Sequence, residues 1–417
     1  MKNIPGKIYP INIESFMCSF LAYKHKGNNE LIQKRGPDFT NTITVNGLNF
    51  THNLLAVTGV PTAQPFVDKE IVVVYSGEIY NHPFAKSDGE NIIPLYKKHG
   101  LLFANELDGE FAIALYDFKT NIALFVTDRF GTKPLWRSGI ECASYRSGVG
   151  GREIEPNTVE CVQISTEKEL FRQNYHQWDW NQYKDSYDDF LSAFERSIQK
   201  RATRRCFLGL SSGYDSGAIC HELVKQGANF KAFSILNNEN INVILQRGKT
   251  AYEFDKITVS KDEDLLKDVE DIEYIRAGEK SVKEDKASYG LASICKQAKR
   301  EGRKVYLSGQ GADEIIGDYK LYPKQSAFKG IFPKELKEWE SFSGGLQRDY
   351  IHKEEHVAGA YGIETRYPFL DTDVVQEFLW LKQELKNRNY KAPIYEYLIK
   401  NHVPFDKEVK RGFRPFA

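Results

Sequence analysis

One order of segments recurs in this chain and restricts the folds open to it. A short apolar run leads into a loop of small residues carrying a carboxylate. The first copy runs from Cys206–Leu210 through Ser211-Ser212-Gly213-Tyr214-Asp215-Ser216 into a helical stretch, Gly217–Lys225. The second runs from Lys304–Leu307 into Ser308-Gly309-Gln310-Gly311-Ala312-Asp313-Glu314. Nearby, Tyr187–Lys200 spaces Phe190, Leu191, Phe194 and Ile198 as a helix face does, Lys231–Leu236 reads as a strand, and Tyr289–Arg300 reads as a helix. Strands alternating with helices predict a doubly wound parallel sheet covered on both faces.

The two loops share a chemistry. Small residues let the backbone approach a phosphate, and a helix N-terminus supplies free N–H donors and the positive dipole end. The hydroxyls of Ser211, Ser212 and Ser216 add donors. Bare phosphate would repel Asp215, so its natural task is to hold Mg²⁺ against phosphate, and Asp313 on the second loop is placed to share that ion. The plainer alternative for the first loop is a serine-rich N-cap turn. The chain lacks the Gly-Lys-Ser/Thr of a Walker loop and any complete G-x-G-x-x-G, which disfavours those nucleotide folds.

The first half reads differently. Up to about Phe171, short β-branched and aromatic runs (Thr42–Val45, Ile71–Tyr75, Phe111–Tyr116, Ile122–Val126) alternate with turn signals, and helical spacing is confined to Asn91–His99. This predicts a mostly β, α+β layered domain, joined to the second by the aromatic linker Tyr175–Trp180. A length of 417 residues suits two domains. Equal numbers of basic and acidic residues, 57 each, argue against a dedicated nucleic-acid or membrane-surface protein. The basic run Lys200–Arg205 reads as a solvated helix end. Six scattered cysteines suggest neither a disulfide framework nor a zinc site. With no long apolar run and no signal-like leader, a cytoplasmic protein is expected.

Further motifs extend the pattern: Gly362-Ile363-Glu364-Thr365-Arg366-Tyr367-Pro368-Phe369-Leu370-Asp371, and Lys410-Arg411-Gly412-Phe413. Together with the two loops they resemble the asparagine synthetase family, which joins an Ntn-hydrolase-like glutaminase sandwich to an ATP pyrophosphatase (PP-loop) domain. The resemblance implies an N-terminal extension over 1–17, a glutaminase-like domain over 18–175 and a synthetase domain over 185–417. It implies that Leu210, Ser211, Ser212, Gly213, Asp215, Ser216, Ile235, Ser308 and Gly309 surround ATP. It also implies that Asp215 and Asp313 hold Mg²⁺, that Lys410 stabilises charge at the α-phosphate, and that Gln310 stands beside the acceptor chemistry. The activity implied is an ATP-dependent carbon–nitrogen ligase that adenylates a carboxylate and releases pyrophosphate.

The N-terminal motifs fit the same family: Met17-Cys18-Ser19-Phe20, Arg35-Gly36-Pro37-Asp38, Ser76-Gly77-Glu78-Ile79-Tyr80-Asn81, Ser87-Asp88, Leu107–Ala112 and Asp128–Leu135. By resemblance Cys18 would be the glutaminase nucleophile, and Ser76, Gly77, Glu78 and Asp88 would bind glutamine. Four positions depart from the family. Cys18 follows seventeen residues, so its nitrogen is an amide and no base. Leu54 stands where an arginine would pair with the glutamine carboxylate. Ser76 replaces an oxyanion-hole asparagine, and Gln310 replaces a glutamate that helps deprotonate the amine. An impaired glutaminase is expected, with processing before Cys18 as the rival.

The expected partners are a small carboxylate or amino acid with ammonia or glutamine; a homodimer is compatible, a membrane is excluded and nucleic acid is disfavoured. Glutamine-dependent asparagine synthesis and an intramolecular closure similar to that of β-lactam synthetases both stay open.

Overall fold

The computed structural model describes residues 16–57, 61–82, 86–259, 261–319, 324, 326–406 and 415. Lys410 and most of the N-terminal extension lie outside them. The N-terminal half is two facing six-stranded sheets. In one, β1 (Phe16–Tyr23) pairs antiparallel with β2 (Leu48–Ala56). In the other, β3 (Ile71–Ile79), β4 (Gly109–Asp117) and β5 (Ile122–Thr127) form an antiparallel ribbon. Val72, Val74, Ala112 and Ala114 point into the sandwich against Phe20 and Phe50, while Val73, Tyr75, Ile113 and Leu115 pack on its outer side with Ile92 and Tyr96 of α1 (Ile92–His99). Both faces of β3 and β4 are buried, so they read in sequence as continuous apolar runs.

The C-terminal half holds a five-stranded, all-parallel sheet in which β6 (Cys206–Gly209), β7 (Phe230–Ser234), β8 (Glu253–Lys256), β9 (Val305–Leu307) and β10 (Glu364–Arg366) stand in the order 8-7-6-9-10. Strand order reverses between β6 and β9, which are neighbours through Phe207 and Tyr306. A ligand crevice opens where such a reversal occurs, at the carboxyl ends of those two strands. Both loops singled out in the sequence leave from there.

Helices cover both faces. Leu208, Ala232 and Leu307 pack with α2 (Asp188–Arg201) and α3 (Tyr214–Lys225). Phe207, Phe233 and Tyr306 pack on the other side with α5 (Lys286–Arg300) and the end of α6 (Gly345–Ala360); α4 (Ile241–Gly248) lies before α5 in the chain, and α7 (Ala392–Lys400) near its end. Helix α3 begins at Tyr214, three residues before its apolar spacing starts, because Gly213 is extended and acts as its N-cap.

The two halves meet through buried charge. Arg201 bonds Glu110 and Asp371, each at 2.7 Å, and Lys200 bonds Asp108 at 2.7 Å. The run Lys200–Arg205 therefore does not end in solvent at its start: the expectation of a solvated helix end fails for Arg201, which is 1% exposed. Lys133 and Arg35 both reach Glu355 on α6. Gly359 permits this docking, since a Cβ there would lie 2.3 Å from the Tyr145 hydroxyl.

Candidate active site

The first loop is tied by its own serines. The Ser211 amide donates to Ser216 Oγ at 3.0 Å, the two hydroxyls lie 2.8 Å apart, and the Gly213 amide donates to Ser211 Oγ at 3.1 Å. Arg247 of α4 braces it from behind, donating from Nη1 to the carbonyls of Ser211 (2.5 Å) and Gly213 (2.8 Å) and from Nε to Pro404 at 2.8 Å. Burial pulls its guanidinium down to about 10 despite the charges of Glu239 and Asp215. The Ser212 amide donates to Glu239 at 2.7 Å. A carboxylate thus sits on an N–H of the kind that would meet a phosphate oxygen.

The second loop touches the first: a Cβ on Gly309 would lie 3.0 Å from the Asp215 Cβ. Gly311, at φ +95°, is a required glycine, because a Cβ would meet Leu370 at 2.4 Å. Its amide donates to Glu314, a buried carboxyl raised by desolvation and then by Asp313. Ser308 is buried and its hydroxyl accepts from the Gln310 amide at 3.0 Å. Leu210 and Ile235 are buried at the ends of β6 and β7, with the Leu210 amide bonded to the Phe233 carbonyl.

Between the loops stands a residue that sequence reading missed. Lys391 Nζ lies 2.6 Å from Asp215 and 3.0 Å from Asp313, and the Tyr390 hydroxyl donates to Asp313 at 2.6 Å. Burial alone would lower the Lys391 ammonium, but Asp215 and Asp313 outweigh it and the net shift is upward. Its backbone is left-handed, φ +48°, at the N-cap of α7. A cation at a helix N-terminus is disfavoured by the dipole, and a lysine in that conformation carries strain; both are offset by two carboxylates. The hint in sequence was Lys391 just ahead of Pro393 at the start of an apolar helix.

This donor set suits Mg²⁺. Two hard carboxylates from adjacent loops already converge on one positive charge, and Mg²⁺ is commonly bound by one or two carboxylates completed by phosphate oxygens and water. Among the described residues no group of three or more His, Cys, Asp or Glu could hold a metal alone.

The N-terminal candidates also gather. Cys18 in β1 is fully buried and lies directly across from Leu54. Its thiol is pushed well up by burial and then by the charges of Asp88, Glu364 and Glu78. The Ser76 hydroxyl donates to the Cys18 carbonyl. Gly77, at φ +129°, brings its Cα so near Glu110 that a Cβ would be 1.8 Å from the Glu110 carbonyl. Asp88 accepts from the Ile79 amide at 2.7 Å and from Tyr75, and burial raises it to about 6. Glu78 is held by Arg366 of β10 at 2.6 Å. Strand β1 already includes Phe16 and Met17, paired with Ala56 and Leu55, so the Cys18 nitrogen is an internal strand amide.

Residues 22–146 match the glutamine amidotransferase domain and residues 189–337 match asparagine synthase. The chain is 27% identical over 404 residues to a putative glutamine-hydrolysing asparagine synthetase of Methanocaldococcus jannaschii, covering 83% of this chain and 72% of that one. It is 26% identical over 442 residues to a probable glutamine-hydrolysing asparagine synthetase of Schizosaccharomyces pombe, covering 89% and 77%. Asparagine synthetase 1 of Saccharomyces cerevisiae, named as glutamine-hydrolysing, is 27% identical over 445 residues, covering 86% and 75%. The chain belongs to the asparagine synthetase family. As a member of that family it is an ATP-dependent, amide-forming carbon–nitrogen ligase. No helix among the described residues is long and apolar enough to cross a membrane.

Proposed function

We propose that residues 185–417 adenylate a small carboxylate substrate, with aspartate the first to be tested, and pass the acyl group to ammonia or another free amine. The observation that carries this reading is the meeting of Asp215 and Asp313, from two strand-end loops, on Lys391. ATP would lie along Ser211–Ser216 at the N-terminus of α3, beside Leu210, Ile235, Ser308 and Gly309. Asp215 and Asp313 would hold Mg²⁺, which supplies charge neutralisation on the phosphates. Lys391 holds both carboxylates in place, and Lys410 would meet the negative charge that develops at the α-phosphate. A substrate carboxylate oxygen attacks the α-phosphorus and pyrophosphate leaves; the amine then attacks the acyl carbon and AMP leaves with the bonding pair. Fixed cations aimed at developing charge are the usual means of catalysing nucleotidyl transfer.

The glutaminase half, residues 18–175, is on this reading a structural platform. A protonated, buried Cys18 facing Leu54 has neither the base nor the carboxylate anchor that glutamine hydrolysis needs. The test is a pyrophosphate–ATP exchange screen across aspartate, other amino acids and small carboxylates, with Mg²⁺. Exchange that persists in Asp313→Ala would refute the metal assignment. Equal product from Cys18→Ala with glutamine as sole nitrogen source would confirm a silent glutaminase, whereas loss of product would restore Cys18 as nucleophile.

A further inference from the structure

The turn between β7 and α4 sends a carboxylate back to the nucleotide loop. The Glu239 amide donates to the Leu236 carbonyl at 3.3 Å, and Asn238 takes the left-handed conformation, φ +58°, within that turn. Asn240 then caps α4, its side chain accepting from the Val243 amide at 3.3 Å. With both ends of the turn fixed, the Glu239 side chain reaches Ser212, 27 residues earlier, where the backbone amide (2.7 Å) and the hydroxyl both donate to Oε2. The Asn240 amide donates in turn to the Ser212 hydroxyl at 3.2 Å.

A single anionic oxygen that collects two donors just ahead of a helix has the arrangement of a bound phosphate oxygen. Arg247 is near enough to feel the Glu239 charge, but its Nη1 and Nε are committed to the Ser211, Gly213 and Pro404 carbonyls. The donors of the loop itself therefore hold the carboxylate. Glu239 is half-buried, so water is at hand to hydrate it once it lets go. Charge-assisted bonds to Ser212 are strong enough to order an empty loop. They are too few to outlast a magnesium-bound polyphosphate, which brings several oxygens to the same donors and repels a carboxylate of like charge.

We propose that Glu239 is a resident anion in the phosphate seat, a residue that sets how tightly the loop holds polyphosphate. In the empty enzyme it occupies the Ser212 amide and hydroxyl and keeps the loop in its binding shape. Phosphate oxygens of the incoming nucleotide take over those donors, and Glu239 turns out to water. Once adenylation has separated pyrophosphate from the α-phosphorus, the returning carboxylate competes for the same two donors and hastens pyrophosphate departure. The role rests on the placement of ATP along Ser211–Ser216 given above. Its consequence is an affinity for pyrophosphate held below what the bare loop would give.

The test is calorimetric titration of the full, nucleotide-free chain with inorganic pyrophosphate in MgCl₂, for the parent, Glu239→Gln and Glu239→Ala. Glutamine keeps the size and one acceptor oxygen but removes the charge. Both variants should bind pyrophosphate more tightly, by about tenfold for Glu239→Gln. Both should also melt at a lower temperature than the parent without ligand, because the Ser212 donors have lost their charged partner. Tighter binding together with lower ligand-free stability is the signature; a packing role would lower both. Equal or weaker pyrophosphate binding in the two variants overturns the proposal. So does unchanged pyrophosphate affinity with a lost preference for ATP over 2′-deoxyATP, which would assign Glu239 to the ribose instead. Failure of parent and variants alike to bind pyrophosphate overturns the placement of phosphate on Ser211–Ser216 from which the proposal starts.

Discussion

Lys391 donates to both carboxylate oxygens of Asp215, at 2.6 and 2.8 Å, from a residue 176 positions further along the chain. The contact closes the crevice between β6 and β9 with a positive charge, and Asp313 completes the cluster from the other loop. Without the ammonium, two carboxylates would face one another, and a divalent cation would be the natural substitute. Lys391→Met should therefore melt at a lower temperature than the parent in EDTA and regain most of the difference in MgCl₂. A parent and variant with equal Mg²⁺ response would show that the ion binds elsewhere.

Gly217 and Arg247 form the second support of the nucleotide loop. A Cβ at Gly217 would sit 2.4 Å from the Arg247 guanidinium carbon. Gly217→Ala should push Arg247 off the Ser211 and Gly213 carbonyls, two charge-assisted bonds each worth about 1.5–3 kcal/mol. Since the side chain can relax part-way, the expected result is a rise of about tenfold in KM for ATP, with a smaller change in kcat. A change in unfolding midpoint with KM untouched would make Arg247 a packing residue only.

Much of this was legible in the sequence. Both strand–loop elements, helices α2, α3 and α5 and the two-part division follow from apolar spacing and turn residues, because helices on both faces of β6 and β9 leave short continuous apolar runs. The contacts that complete the site were not. Lys391 caps α7 and Arg247 lies in α4, helices whose own patterns announce only an apolar face, and their partners lie 176 and 36 residues away. Local spacing holds no trace of such pairs. The basic run at Lys200 misled for a related reason: its meaning is set by Glu110 and Asp371, which only the folded chain brings near.

Arg201 tests that interface. Both its carboxylate partners are buried, so Arg201→Met leaves them to Lys200, which holds Asp371 at 3.0 Å, and to Lys133, 3.6 Å from Glu110. Breaking a buried pair from one side costs about 3–5 kcal/mol, and these residual partners place the expected loss at the lower end. Urea unfolding should register it as a lower midpoint. Adding Glu110→Gln should recover part of the loss, because the uncompensated charge is then gone.

Histidines buried without charge give the chain a pH signature. His52 is fully buried with neither ring nitrogen bonded, and burial pulls it from 6.5 to about 3. His356, stacked on Tyr145 at 4.5 Å, is likewise held near 3 by burial and by His352. A folded-state pKa below the unfolded one means that the unfolded chain takes up the proton first. The stability these residues contribute is therefore whole above about pH 6.5 and is lost as pH falls towards 3. Asp88 and Glu354, raised to about 6 and 7, tilt the curve the other way, so the informative quantity is a difference between proteins. Removing the titrating ring by His52→Phe should change the stability gap between parent and variant by about 1.4 kcal/mol for each pH unit between 6 and 4, in favour of the variant as acid is added. Denaturant titrations at three pH values measure that gap. A gap independent of pH would mean that the His52 ring is hydrated in solution and ionises freely.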